Sequence, residues 1–294
     1  MTIFDVPIAV ITGQLLLGML NGSFYAMLSL GLAVIFGMLH VVNFAHGALY
    51  MLGAFAALYG LRFLGINYWF ALILAPLAVG LFGALLERLL LRRIAGMDPI
   101  YGLLMTFGVT LTVEGLFSYW FGSLGRPYPV PDLLKGGVNF GFGFIPIYRL
   151  WVLVISVAVC IATWYLIERT RIGSYLRAST ENAPLVQTFG VNVPLLVTLT
   201  YGGGVALAAF AGVLAAPIYQ VSPHMGQQLI ITVFAVVVIG GMGSILGSVI
   251  TGFLLGIIEG LCKVFYPEGS AMIVFVVMIL VLLVRPAGLF GRGD

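Results

Sequence analysis

Long apolar stretches, separated by short polar or glycine-rich links, run almost from end to end of this 294-residue chain. A helix crossing the hydrocarbon core of a bilayer needs about 20 mostly apolar residues. Blocks of that character lie at about 8–33, 34–60, 68–91, 100–121, 149–168, 195–217, 229–262 and 271–285. The block 229–262 is too long for one crossing, and Gly240, Gly241 and Gly243 interrupt it. It reads either as two short spans or as a half-helix followed by a full one. The pattern therefore predicts an all-α, polytopic transmembrane helical bundle with about eight or nine crossings, some of them broken. No stretch is long enough for a separate soluble domain, so residues 1–294 read as one transmembrane domain with a polar loop at 169–194.

Composition removes the main competitor to this reading. Hydrophobic residues make up 62% of the chain and charged residues 8%, whereas soluble domains carry about 25% charge. Too few polar groups exist to cover a surface in water, and the mean hydropathy is +1.16. The net charge of +3 comes from scattered basic residues, so nothing points to nucleic acid. Cys160 and Cys262 have neither disulfide nor metal-ligand spacing. Residues 1–6 carry Asp5 and no Lys or Arg, so the first apolar run reads as a permanent span rather than a cleavable signal.

Loop charge gives the orientation, because Lys and Arg concentrate on the cytoplasmic side. Arg88, Arg92 and Arg93 share a side with Arg169, Arg171 and Arg177, and Arg285 and Arg292 join them only if 229–262 crosses twice. Arg62, Arg126, Lys135, Arg149 and Lys263 fall opposite, which puts the N-terminus outside. Trp69, Trp120 and Trp151 sit at predicted span ends, where amphipathic rings prefer the headgroup level. The Gly/Pro-rich connection 122–148 reads as an irregular external loop or a small lid.

Small residues recur at four-residue spacing, at Gly204, Ala208, Gly212 and Ala216 and again at Gly252, Gly256 and Gly260. Such stripes let helices approach closely; plain packing and a moving interface both use them. Polar residues inside apolar blocks are rarer and more telling. His40, Asn43, His46 and Tyr50, if helical, share about a third of the circumference. Lipid cannot satisfy them, so they bridge helices or, with Gly47, line a solute path. Gly102, Thr106, Thr110, Glu114 and Ser118 form another stripe, which turns Glu114 toward the interior. Glu259 and Lys263 are spaced to pair on one face. In Ile239–Gly247 the dense glycines break the helix, and Ser244 is suited to cap the next one. That segment is a half-helix N-terminus aimed at an anionic group of a solute, or a tight turn between spans. No metal site, cofactor site or catalytic group is expected; a Ser244–His46 protease lacks a nucleophile motif.

The loop 169–194 is the most informative segment. Thr180 or Asn182 can cap a short helix, Pro184 fits only its first turn, and Gly190 stops it. Leu185 and Phe189 then form an apolar edge in the cytoplasm, which asks for a partner protein unless the helix folds back on its own bundle. Lys135 and Lys263 are the only lysines, and neither lies in a phosphate loop, so any ATP is hydrolysed by another subunit.

With these features in place the chain resembles the membrane permeases of bacterial branched-chain amino acid ABC importers, over nearly its whole length. Tyr25–Gly31, Val42–Gly47 and Tyr50–Gly53 are similar to the family's N-terminal signature. Ala206–Pro217 and Gly240–Gly247 are similar to its C-terminal one, and Leu282–Gly291 to its last span and exit. The Glu-x₈-Gly-Val-Asn pattern of its ATPase-docking loop matches Glu181, Gly190, Val191 and Asn192, with Asn182, Leu185 and Phe189 between. The departure is Pro184, where a helix former is more usual.

The resemblance implies a permease moving branched-chain or related small amino acids across the bacterial inner (cytoplasmic) membrane by alternating access. It implies a second permease subunit, two cytoplasmic ABC ATPase subunits and a periplasmic solute-binding protein, with lipid around the bundle. Within the family, urea, short-chain amides or aromatic acids are alternative solutes. In another class, a proton-coupled secondary transporter would use Glu114 or Glu259. Asn43, His46, Gly47 and Tyr50 with Gly240, Gly241, Gly243 and Ser244 are the expected path.

Overall fold

A computed structural model describes residues 2–3, 6–39, 42–139 and 144–291. Asp5, His40 and Arg292 lie outside the described residues. Helix α1 (Ile8–Leu39) is followed by α2 (Ala45–Leu64), α3 (Tyr68–Ile94) and α4 (Pro99–Phe121). Then come α5 (Ile147–Arg169), the short α6 (Arg171–Glu181) and α7 (Ala183–Thr188), and α8 (Val193–Ala215). The chain closes with α9 (Gln227–Gly240), α10 (Ile245–Phe265) and α11 (Ile273–Val284). Among the described residues, seven helices are long and apolar enough to cross a membrane, and α9 and α11 are shorter apolar helices.

Local chemistry explains most boundaries. Asn67 accepts a bond from Phe70 N to start α3, and Asp98 accepts from Ile100 N with Pro99 in the first turn of α4. Gly65, at φ 65°, closes α2. One boundary differs from the sequence pattern. Nothing near 33 or 34 breaks a helix, so α1 runs on to Leu39, and the interruption falls at 42–44, where Asn43 Oδ1 accepts from Ala45 N at 3.1 Å. Asn43 therefore lies off the helix that carries His46 and Tyr50.

The block 229–262 resolves into α9 and α10, joined by a turn at 241–244. With 14 residues, α9 is about 21 Å long, short of the roughly 30 Å hydrocarbon core. The returning tail packs on that turn: Leu289 N donates to Ile239 O and Phe290 N to Gly240 O. Glu168 and Arg177 line a cavity together with Gly243 and Phe290, so the tail lies at the end that carries the loop arginines. Arg285 joins that end, as the doubled crossing requires. At the opposite end, Trp69 and Trp151 meet edge to face, 5.4 Å between ring centroids. The loop 122–148 forms a small hairpin, Gly137–Asn139 with Phe144–Pro146, and Arg126 bridges to Val221.

Both small-residue stripes are helix seams. Gly252, Gly256 and Gly260 of α10 lie against Gly18, Gly22 and Ala26 of α1; a Cβ added at Gly22 would sit 3.0 Å from Gly252 O. Gly204 of α8 meets Gly31 of α1, and Gly212 meets the backbone of Tyr50 on α2. Backbones this close gain dispersion contacts that lipid tails cannot match. Large apolar side chains instead face outward, among them Phe70, Leu77 and Leu81 on α3, Leu104 and Leu111 on α4, and Leu280 and Leu283 on α11. A surface of that kind is matched to lipid rather than water.

Candidate transport path and coupling loop

Two interruptions meet inside the bundle. The first is the link 42–44 into α2. Asn43 and His46 are buried; Asn43 Nδ2 donates to the Tyr201 hydroxyl at 2.9 Å, and His46 Nε2 lies 3.0 Å from Leu28 O. His46 thus ties α2 to α1, and Asn43 ties the link to α8. The other ring nitrogen of His46 has no partner among the described residues. The second interruption is 216–226, between α8 and α9. Gly226 packs directly on Gly47, backbone against backbone. Gln227, the first residue of α9, donates from Nε2 to Glu114, well inside α4. The helix that begins within the bundle is therefore α9.

The Gly240–Ser244 segment occupies a different level. Gly241 (φ 100°) and Gly243 (φ 84°) adopt left-handed backbone that only glycine takes easily, and Gly243 abuts Gly37 near the end of α1. Ser244 Oγ accepts from Gly247 N at 3.2 Å and caps α10. The geometry is a tight turn at the arginine-bearing end, the second of the two readings its glycines allow. It lies at a cavity of about 380 Å³ whose lining includes Glu168, Arg177, Thr180 and Ser244.

A cavity of about 290 Å³ opens beside the interior break, lined by Asn21, Tyr25, Tyr50, Tyr219, Ser222 and Gln228 among others. Of the path residues expected from sequence, it brings in Tyr50; Asn43, His46 and Gly47 do not line it. Tyr219 donates to Asn21 Oδ1 at 2.9 Å. Tyr25 donates to Glu259 Oε2 at 2.7 Å, and Lys263 Nζ is 2.6 Å from the other carboxylate oxygen. Tyr219 is 42% exposed, and His224, Gln227 and Gln228 are exposed as well. Polar side chains at this depth cannot be left facing hydrocarbon, so this flank faces water or another protein. Glu114 is buried, with one oxygen and the nearby Ser118 hydroxyl unpartnered among the described residues. Asn21, Tyr219 and Gln228 were not singled out from sequence; Asn21 is a polar residue in an apolar block, whereas Tyr219 and Gln228 lie in the link between two blocks.

In the polar loop, Asn182 Oδ1 accepts from Leu185 N at 3.0 Å, Pro184 fits the first turn of α7, and Gly190 ends it at φ 82°. Val186 is buried and anchors this short helix, while Leu185 is 53% and Phe189 79% exposed. Glu181 is exposed at the end of α6. After Val191, Asn192 Oδ1 accepts from Leu195 N at 3.0 Å and begins α8. The apolar edge points away from the bundle.

Sequence reasoning missed a charged node next to this loop. Glu87, 1% exposed, lies where α3 widens into a π-helical stretch, Glu87–Leu91. Arg92 grips both its carboxylate oxygens, at 3.2 and 3.1 Å. A lone acid within the block 68–91, five residues before an arginine, was the only trace of it.

A charge-poor bundle of whole and broken helices with a polar interior cavity is the architecture of a multi-pass membrane transport protein. The family model for the branched-chain amino acid transport system permease component matches residues 14–282, and the chain belongs to that family. It is 32% identical to the high-affinity branched-chain amino acid transport system permease protein BraD of Pseudomonas aeruginosa, over 96% of each chain. It is 29% identical to the permease protein LivH of the corresponding Escherichia coli system, again over 96% of each. A more distant likeness, 30% over 62% of this chain and 53% of the relative, is to the ribose import permease protein RbsC of Escherichia coli. No solved structure matches.

Proposed function

We propose that this permease serves an ATP-binding cassette importer that moves branched-chain or related small amino acids across the bacterial inner membrane by alternating access. The supporting observation is the isolated Leu185–Phe189 edge, exposed on the arginine-bearing, hence cytoplasmic, end of a bundle that has no phosphate loop. Two cytoplasmic ATPases grip residues 181–192, one on each permease of a pair, and a periplasmic binding protein delivers solute to the tryptophan-bearing end. Glu181, Asn182, Leu185, Phe189, Gly190, Val191 and Asn192 form the docking element. The polar flank at Tyr219–Gln228 faces the second permease, and the solute passes between them along the cavity with Tyr50 and Tyr219. Asn43, His46 and Gly47 hold that wall in place, and the Gly240–Ser244 turn lies at the inner mouth. Family membership supports leucine-like solutes over urea, amides or aromatic acids.

The test is purification of the permease with its cytoplasmic subunits, reconstitution with the binding protein, and comparison of leucine, valine, urea and benzoate uptake. ATP-dependent accumulation of leucine or valine is expected. Uptake that continues without ATP hydrolysis would discard the proposal.

A further inference from the structure

Among the described residues, Glu87 and Arg92 form one of four ion pairs, and Glu87 is its deeply buried partner. The pair is internal to α3, yet its remaining bonds all run to α8. Thr198 Oγ1 donates to Glu87 Oε2 at 2.7 Å, and the same hydroxyl contacts the Arg92 guanidinium. Arg92 also donates to Pro194 O at 2.8 Å. Pro194 lies two residues after Asn192, the cap that joins the docking element to α8.

Breaking such a node is unfavourable, because removing one partner leaves the other charge buried and unpaired. Placing it in a π-helical stretch is also unusual, since π-turns are rare and concentrate at functional sites. Just beyond the node the two helices pack with little between them, Gly80 and Gly83 of α3 lying against Gly202, Val205 and Ala206 of α8. A cavity of about 500 Å³ lies alongside, lined by Glu87, Arg92, Ser179, Gln187 and Pro194 among others, so there is space for the docking element to shift against the node.

We infer that Glu87, Arg92 and Thr198 are a transmission clamp: they fasten the inner end of α3 to the base of α8, so that a displacement imposed on residues 181–192 moves both helices as one lever. This rests on the proposed docking role of that element. The three are positioning residues, acting on the path through the helices they join and not through the solute.

The experiment uses the full complex with its ATPases and binding protein in proteoliposomes, and reads leucine transported per ATP hydrolysed. Thr198→Val keeps side-chain volume and both charges but removes the hydroxyl that bridges the helices. It is expected to lower that ratio about threefold, and Glu87→Gln about tenfold, with ATPases still co-purifying at the wild-type ratio. An unchanged leucine-to-ATP ratio in assembled Thr198→Val complex overturns the clamp. So does a loss of assembled complex with the ratio preserved, which would mark a static staple. If Glu87→Gln fails to accumulate, Thr198→Val still decides. Phe189→Ala separates the two readings: wild-type ATPase retention there would remove the docking role, while ATPase release with a normal Thr198→Val ratio would remove the clamp alone.

Discussion

Tyr25 and Glu259, on helices at opposite ends of the sequence, meet through a 2.7 Å hydrogen bond from the phenol to the carboxylate. Lys263 holds the second oxygen, so both carboxylate oxygens are engaged by donors. A group so engaged braces one wall of the Tyr50–Tyr219 cavity in an ATP-driven permease. Leucine uptake driven by ATP should therefore persist when a protonophore collapses the proton gradient at constant ATP. Glu259→Gln should keep at least half of it. Uptake that vanishes with the protonophore would restore the proton-coupled alternative.

Gly190 takes φ 82° at the end of α7, a region where a β-branched residue is strained by about 1–3 kcal/mol. Gly190→Val should distort the Leu185–Phe189 edge while the permease still inserts. The recovered ATPase should fall at least fivefold on affinity purification through a permease tag. Glu181→Lys is expected to act in the same direction. Normal retention and transport in both variants would refute the docking assignment.

Asn43 is bonded through both ends of its amide, to Tyr201 and to Ala45 N. Asn43→Leu strips both and leaves the buried Tyr201 hydroxyl without that partner, a loss on the order of 1–3 kcal/mol. Leucine uptake should drop severalfold with the complex still assembled. Tyr219→Phe, which only frees Asn21 at the cavity rim, should change the leucine KM more than the maximal rate. Wild-type uptake with Asn43→Leu would dismiss this wall from the path.

Glycine positions offer an internal comparison. A Cβ at Gly256 would collide with the backbone of Gly18 and Gly22, whereas one at Gly13 meets nothing within 4 Å. Gly256→Val should lower the detergent-solubilised unfolding midpoint by several degrees or prevent accumulation, since overpacking typically costs about 1–3 kcal/mol. Gly13→Ala should be neutral. Equal midpoints for the two variants would contradict the seam.

What could be read from the chain follows the range of the interactions. Apolar blocks, caps such as Asn182 and Ser244, and stops such as Gly190 depend on neighbours within a few positions, so the long helices and the short helix after Asn182 were visible in the sequence. Four-residue spacing likewise showed the small faces, though not which helix each would meet. Asn21 with Tyr219 and Glu87 with Thr198 were not legible, because each pairing depends on tertiary packing of helices far apart in the chain. The link between the blocks 195–217 and 229–262, with Pro217, Pro223 and Gly226, was visible, but not that α9 starts inside the bundle there, because the dense glycines at 240–243 are the stronger half-helix signal.

The seam between α1 and α10 joins Gly22 to Gly252, residues far apart in the order of synthesis. At about 5–20 residues per second, the first helix waits on the order of tens of seconds before its mate leaves the ribosome. Throughout that interval a nearly bare backbone ridge lies open to lipid or to the insertion machinery. The nascent chain therefore needs a temporary companion for its first helix, and its biogenesis is vulnerable at that unfinished face.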